Sequence, residues 1–221
     1  MIKCVIPARS GSKSIPLKNI IEINGKPLLW WVLMSANESV IDEIYVLTDS
    51  DKIKNVVDSF NFTKVSVLGR SEQVSTDTAT TESVMVEFAL KEDFDDIVLI
   101  QATSPLLKTE HINESIKTYK TGNFDSLLTL VRQHNFKWET YEKGNCLPTN
   151  YNYLNRPRRQ NHDGYMVENG AFYITSKKAF NESKSRVSGN IGFYEMPHYS
   201  YFEIDEISDV IIIEELMKKY G

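Results

Sequence analysis

Three cations, three serines and a glycine crowd into Pro7-Ala8-Arg9-Ser10-Gly11-Ser12-Lys13-Ser14-Ile15-Pro16-Leu17-Lys18-Asn19. A loop of this make-up can aim backbone N–H groups and cationic side chains at a polyphosphate. It is not a Walker A loop, because Ser12 separates Gly11 from Lys13. A solvated basic loop is the plain alternative. Far along the chain, Glu203-Ile204-Asp205-Glu206 alternates acidic and apolar residues. In an extended segment, Glu203 and Asp205 point to the same side. Two carboxylates on one side suit a hard cation such as Mg²⁺, which is held by one or two carboxylates plus substrate phosphates. The alternative is a set of acids capping the last helix, a task that suits Glu206 and Asp209 in either case.

Three further clusters are weaker alone. Ser75-Thr76-Asp77-Thr78-Ala79-Thr80-Thr81-Glu82 reads as the start of a helix, with Thr80 or Thr78 as cap. Gln101-Ala102-Thr103-Ser104-Pro105-Leu106 is a polar turn after an apolar strand, a place from which a base or sugar can be read. Arg156-Pro157-Arg158-Arg159-Gln160 carries guanidinium forks that suit phosphate or carboxylate, or else forms a solvated patch. His111, His134, His162 and His198 have no metal-ligand spacing, and no Ser-His-Asp set is suggested. Asp49-Ser50-Asp51 is a D-x-D, the pattern of metal-dependent glycosyltransferases, with Asp51 also read as a helix cap.

The elements that must position these clusters alternate. Strands are expected at Cys4 to Ile6, Ile44 to Leu47, Val65 to Leu68, Ile97 to Ile100 and Leu127 to Val131. Helices are expected at Pro27 to Glu38, after Asp51, at Thr80 to Leu90 and at Thr109 to Tyr119. The continuous run Ile97-Val98-Leu99-Ile100 is that of a strand buried on both faces. Such alternation argues for an α/β fold with a mainly parallel sheet and helices on both faces. The ligand crevice then lies at the carboxyl ends of the strands, where the polar clusters fall. From about 132 to 168 the pattern gives way to an aromatic, polar excursion that reads as a lid or dimerisation segment of one 1–221 domain. A strand from Gly170 to Ile174 and a helix from Ile207 to Lys219 follow.

Composition sets the outer bounds. The chain has 221 residues, a formal net charge of −5, 41% hydrophobic and 25% charged residues, the profile of a globular protein. It has no basic excess of the kind that marks a nucleic-acid binder. It shows no signal-peptide pattern and no apolar run near the ~20 residues of a membrane span. Cys4 and Cys146 read as two reduced thiols of a cytoplasmic protein.

Together the clusters resemble the acylneuraminate cytidylyltransferases, or CMP-sialic acid synthetases. Ile6 to Asn19 is similar to that family's nucleotide loop, and Val46-Leu47-Thr48-Asp49-Ser50 to its V-S-T-D segment. Arg70 with Thr76-Asp77-Thr78-Ala79, Leu99 to Leu106, and Asn169-Gly170-Ala171-Phe172-Tyr173-Ile174 resemble three more motifs, in order. The resemblance implies a three-layer Rossmann-like nucleotidyltransferase fold. It implies CMP transfer from CTP to a nine-carbon acidic sugar of the sialate, legionaminate, pseudaminate or deaminated type, with Mg²⁺ or Mn²⁺. It assigns Ala8, Arg9, Ser12, Lys13, Lys18 and Asn19 to the triphosphate loop, and Arg70, Asp77, Ala79 and Thr80 to cytosine and ribose. It assigns Gln101, Ser104, Asn169 and Tyr173 to the sugar, Lys137 and Arg159 to its carboxylate, and Asp205 with Glu203 to the metal. Arg9, Lys13, Lys18 and Asp205 carry catalysis in this reading. The excursion is expected to cross to the partner of a homodimer. Glu203 stands where many relatives have Asp, Ala102 where they have proline, and Leu107 where they have arginine. A glycosyltransferase using the D-x-D, or a nucleotide-binding homologue without catalysis, are the competing readings.

Overall fold

β1 (Ile2–Pro7) is buried along nearly its whole length, and this dictates its central place. It pairs in parallel with β4 (Glu43–Thr48) and with β6 (Asp96–Ile100), and β4 pairs in parallel with β5 (Val65–Gly69). Between them lie a two-strand hairpin, β2 (Glu22–Ile23) and β3 (Lys26–Pro27), turned at Asn24-Gly25, and the helices α1 (Leu28–Asn37), α2 (Asp51–Asp58) and α3 (Thr81–Ala89). After β6 come α4 (Thr109–Thr121) and β7 (Ser126–Gln133). A small antiparallel pair, β8 (Trp138–Thr140) with β9 (Cys146–Pro148), precedes the long β10 (Tyr165–Ser176). The chain closes with α5 (Lys177–Ser183), β11 (Ile191–Met196) and α6 (Ile207–Tyr220). This computed structural model describes residues 1–11, 14–76 and 78–220.

The seven-stranded sheet runs in the order β5-β4-β1-β6-β10-β7-β11. It is parallel except for β10, which pairs antiparallel with both β6 and β7. Helices cover both faces, as the alternating pattern led us to expect. On one face α1, α2 and α4 bury Leu33, Ile53 and Ile112 against Cys4, Ile6 and Ile100. On the other, α3 and α5 bury Val84, Phe88 and Phe180 against Val5, Leu99 and Tyr173. A third cluster packs Ile213 and Met217 of α6 on Leu28, Ile23 and Ile204. It fixes the segment after Glu203 against the start of α1.

Several expectations shift. The helix after β4 is capped by the Ser50 side chain, which accepts from the Ile53 N–H; Asp51 is its first residue, not its cap. Arg132 and Gln133 complete β7, and Tyr165 to Glu168 already belong to β10, so the stretch outside the main sheet is 134–164. β10 begins earlier than Gly170 because a bulge between Glu168 and Tyr173 restores its register. Gly170 sits in that bulge at φ +69°, a conformation that suits a residue without Cβ.

Candidate active site

The carboxyl ends of β1, β4, β5 and β6 open on one side, as parallel pairing requires. The β1 strand continues into Ala8, which is buried and donates its N–H to the Leu47 carbonyl. The loop that follows is braced from its neighbours. Ser10 donates its N–H to Asp49 Oδ1 at 2.8 Å and its hydroxyl to Asp49 Oδ2 at 3.0 Å. Asn19, largely buried, donates to the Arg9 carbonyl at 3.0 Å. Both carboxylate oxygens of Asp49 thus serve the loop, and Ser50 serves α2. The D-x-D is therefore a structural corner here.

Arg9, Lys18, Asn19 and Arg70 line a cavity of about 280 Å³ together with Ala79, Thr80 and Thr81. Thr80 caps α3 by accepting from the Ser83 N–H at 3.1 Å, so the helix N-terminus faces the same space. Orphan N–H groups and the positive end of the helix favour an anion there. Arg9 Nη1 reaches the Thr76 carbonyl at 3.4 Å. Arg70 donates through Nη2 to the Val74 carbonyl, and burial pulls its guanidinium below the ordinary arginine value. Its buried Nε has no partner among the described residues. The space is small, polar and cationic, which fits phosphate and ribose better than an apolar ligand. Ser12, Lys13 and Asp77, also expected here, lie outside the described residues.

Lys18 joins this cavity to the acidic pair. Its Nζ donates to Asp205 Oδ1 and to the Ile204 carbonyl, both at 2.9 Å. The Ser14 hydroxyl donates to the Asp205 carbonyl. Glu203 sits deeper than Asp205 and accepts from the Thr103 hydroxyl at 3.3 Å. Burial, reinforced by the charge of Asp205, pushes its carboxyl above the usual range. Among the described residues no three His, Cys, Asp or Glu form a metal-binding group. Two carboxylates, one of them 65% exposed, match a hard cation whose remaining ligands are substrate oxygens and water. An all-protein cage is not what this donor set builds.

Gln101 follows β6 and meets Glu203 across Gly170. A Cβ at Gly170 would stand 3.2 Å from Glu203 Oε2 and 3.4 Å from Gln101 Nε2. Gln101, Glu203 and the bulge of β10 thus share one corner beside Lys18. Ser104 is buried nearby, and its hydroxyl has no partner among the described residues. Tyr173 and Asn169, both expected at the sugar, are only 2% and 3% exposed. Asn169 accepts from the Thr129 hydroxyl at 2.7 Å and donates to the Ser200 carbonyl at 3.1 Å, so its amide ties the bulge to the sheet. The Tyr173 hydroxyl donates to Glu168, which is the exposed group of that pair. Lys137 lies over the Tyr165 ring, its Nζ 3.4 Å from the ring centre. Arg159 lines a second cavity of about 730 Å³ with His134, Phe136 and His198. Sequence reasoning read Glu82 only as part of a helix start and passed over Glu168 and Arg186, which lie in no recognisable spacing and meet only through the fold.

Comparison with known proteins extends this geometry. The family model for "Cytidylyltransferase" matches residues 3–219. N-acylneuraminate cytidylyltransferase B of Danio rerio is 39% identical over 221 residues, covering 98% of this chain and 51% of that protein. N-acylneuraminate cytidylyltransferase of Oncorhynchus mykiss is 38% identical over 226 residues, covering 100% of this chain and 51% of that protein. The chain spans about half the length of these curated relatives. The solved structure of CMP:2-keto-3-deoxy-manno-octonic acid synthetase complexed with CTP superposes with a TM-score of 0.72 at 17% identity, covering 100% of this chain and 99% of that one. At that identity the likeness shows the fold. Among the described residues, no helix is long and apolar enough to cross a membrane.

Proposed function

The chain belongs to the cytidylyltransferase family, and from that premise we propose that it transfers CMP from CTP to the anomeric hydroxyl of a nine-carbon acidic sugar. The observation that carries this reading is the Lys18 bridge. One ammonium lines the cationic cavity and also holds Asp205 of the acidic pair, so a triphosphate and an acceptor hydroxyl would meet at a single point.

In this reading Arg9, Lys18 and the N-terminus of α3 receive the triphosphate, with Ser12 and Lys13 of the same loop. Arg70, Ala79, Thr80 and Asp77 face the nucleoside. Gln101 and the bulge of β10 face the sugar. The acceptor hydroxyl attacks the α-phosphorus, and pyrophosphate leaves from the opposite side. Negative charge builds on the phosphoryl oxygens, so catalysis is positioning and charge stabilisation more than covalent chemistry. Asp205, with Glu203 behind it, would hold Mg²⁺ or Mn²⁺. When bound, that ion neutralises phosphate charge and lowers the pKa of a hydroxyl it touches. Lys18 meanwhile keeps Asp205 oriented and adds its own charge to the α-phosphate side.

The stretch 134–164 presents Trp138, Tyr141, Leu147 and Leu154 to solvent. Such a surface supports a homodimer in which this stretch covers a partner subunit and carries Lys137 and Arg159 toward the partner's sugar carboxylate. A cytoplasmic setting agrees with a CTP-dependent reaction. The test is pyrophosphate release from CTP and Mg²⁺ against sialate, legionaminate, pseudaminate and deaminated sialate, with an octulosonate as control. Release with a nine-carbon member, dependent on metal, is expected. A folded protein that binds CTP but releases nothing with any member would sink the proposal in favour of a non-catalytic nucleotide binder.

A further inference from the structure

Behind the crevice, on the α3 side of the sheet, four side chains from distant parts of the sequence form one continuous chain of contacts. Glu82, in the first turn of α3, accepts from Arg186 Nε at 2.5 Å. The Arg186 guanidinium lies 5.2 Å from the centre of the Tyr173 ring. The Tyr173 hydroxyl donates to Glu168. Glu168 is exposed two residues before Gly170, the glycine where a Cβ would stand 3.2 Å from Glu203 Oε2 and 3.4 Å from Gln101 Nε2. One end of the chain is therefore the helix whose N-terminus lines the nucleotide cavity. The other end is an exposed carboxylate on the strand that forms the sugar side.

The backbone under Arg186 is held as firmly as its side chain. The Thr175 hydroxyl donates to the Arg186 carbonyl, and Ser126 makes two hydrogen bonds to Ser188, at 2.7 and 2.9 Å. Only 19% of the Arg186 side chain and 30% of the Glu82 side chain are exposed. Burial disfavours the charge on Arg186, but the hydrogen bond and charge of Glu82 outweigh it. Burial, with the hydrogen bond to Glu168, raises the Tyr173 phenol above its ordinary value, so it stays a donor at neutral pH. A half-buried ion pair is a poor source of stability compared with apolar packing. Its placement between the two halves of the crevice calls for another use.

We infer that Arg186 is a positioning residue: anchored on Glu82, it fixes Tyr173 so that the Glu168 carboxylate stands ready to accept hydrogen bonds from hydroxyl or amide N–H groups of the acid sugar. This rests on the CMP-transfer reading and deepens it. Glu168 contacts the sugar; Arg186 and Glu82 act only through it. The role separates the two substrates: Arg186 is engaged by Glu82 and Tyr173, whereas Lys18 is engaged by Asp205.

The experiment measures steady-state constants for both substrates, with melting temperatures, on Glu168→Gln, Arg186→Met, Arg186→Lys, Glu82→Gln and the Glu82→Gln/Arg186→Met pair. Arg186→Met is expected to raise KM for the acid sugar about 10-fold while KM for CTP stays within about twofold. Arg186→Lys, which keeps the charge but loses the planar fork, falls between. Glu168→Gln shifts the same constant, and the double variant is no worse than Arg186→Met alone, as one chain demands. An unchanged sugar KM in Arg186→Met overturns the inference. So does a parallel rise in both KM values with a fall in melting temperature, the mark of a merely structural pair. A parent protein that turns over no acid sugar removes the CMP-transfer reading itself, and this inference with it; an active parent with indifferent variants removes only the inference.

Discussion

Replacing Lys18 by Met separates a catalytic bridge from a structural one. The ammonium lies 2.9 Å from Asp205 Oδ1, and 13% of the lysine side chain and 65% of the aspartate side chain are exposed. At an effective dielectric of ~20 the bare Coulomb term at that distance is about 6 kcal/mol. The exposure of Asp205 and the ordering of two side chains reduce the net value to about 1 kcal/mol. For a domain of this size that is a fall of about 2–4 °C in melting temperature. The effect on turnover should be far larger. Losing one preorganised charge aimed at a developing oxyanion typically lowers kcat by ~10²–10³, or about 2.7–4 kcal/mol. The same substitution removes the cation that competes with metal for Asp205. The Mg²⁺ concentration giving half-maximal rate should therefore fall, by up to about 5-fold for ~1 kcal/mol, while the maximal rate collapses. The assay is pyrophosphate release across a Mg²⁺ titration, with thermal melting alongside. A variant that melts several degrees lower but keeps kcat within threefold would refute the bridge.

Three other outcomes follow from the same geometry. Arg70→Met removes a half-buried guanidinium that donates to the Val74 carbonyl at the proposed nucleotide cavity; KM for CTP should rise at least ~10-fold, a loss on the scale of one charged hydrogen bond, read from CTP titrations at saturating sugar. Gly170→Ala places a Cβ at φ +69° and 3.2 Å from Glu203 Oε2; the backbone strain of about 1–2 kcal/mol should lower the melting temperature, and displacement of Glu203 should lower turnover as well. The Glu203 carboxyl is raised by burial and then by Asp205, so between the ordinary carboxylate value and its raised value the native state holds the extra proton, and stability must fall as pH rises through that interval; Glu203→Gln should therefore melt higher than the parent above that interval and equal it below, in melts without metal.

Much of this was legible in the sequence. The central strands read correctly because a strand buried on both faces leaves an uninterrupted apolar run, as in Ile97 to Ile100. The cationic cavity was legible because Arg9, Lys18 and Asn19 crowd into one loop and Thr80 stands at a helix start. Other parts left no local signal. β11 was passed over because it lies at the sheet edge with residues alternately exposed, and half its side chains answer to solvent. β10 reads only from Gly170 in the sequence because its bulge breaks the period of two at Asn169-Gly170, and the residues before it read as part of the excursion. Tyr173 and Asn169 sit in the expected motif, yet their polar atoms turn to Glu168, Thr129 and Ser200. A motif names positions, while packing decides which atom of each reaches the crevice.

The contacts that assemble the site are long in sequence and short in space. Lys18 to Asp205 spans 187 residues, Arg9 to Thr76 spans 67, and Ser10 to Asp49 spans 39. Each ties the segment after β1 to a segment that follows another strand, so the cationic side of the crevice inherits the rigidity of the parallel sheet. The stretch 134–164 is held differently, by its own hairpin, by aromatic contacts such as Phe136 on Tyr151, and by Arg132, which reaches both the Asp163 carbonyl and Glu195. The division has a chemical logic. Phosphoryl transfer tolerates little displacement of the charges around the α-phosphorus, so those charges belong on the sheet. In the proposed function, recognition of the acid sugar's substituents falls to β10 and the stretch before it, where a changed side chain would alter what is accepted without moving Lys18 or Asp205.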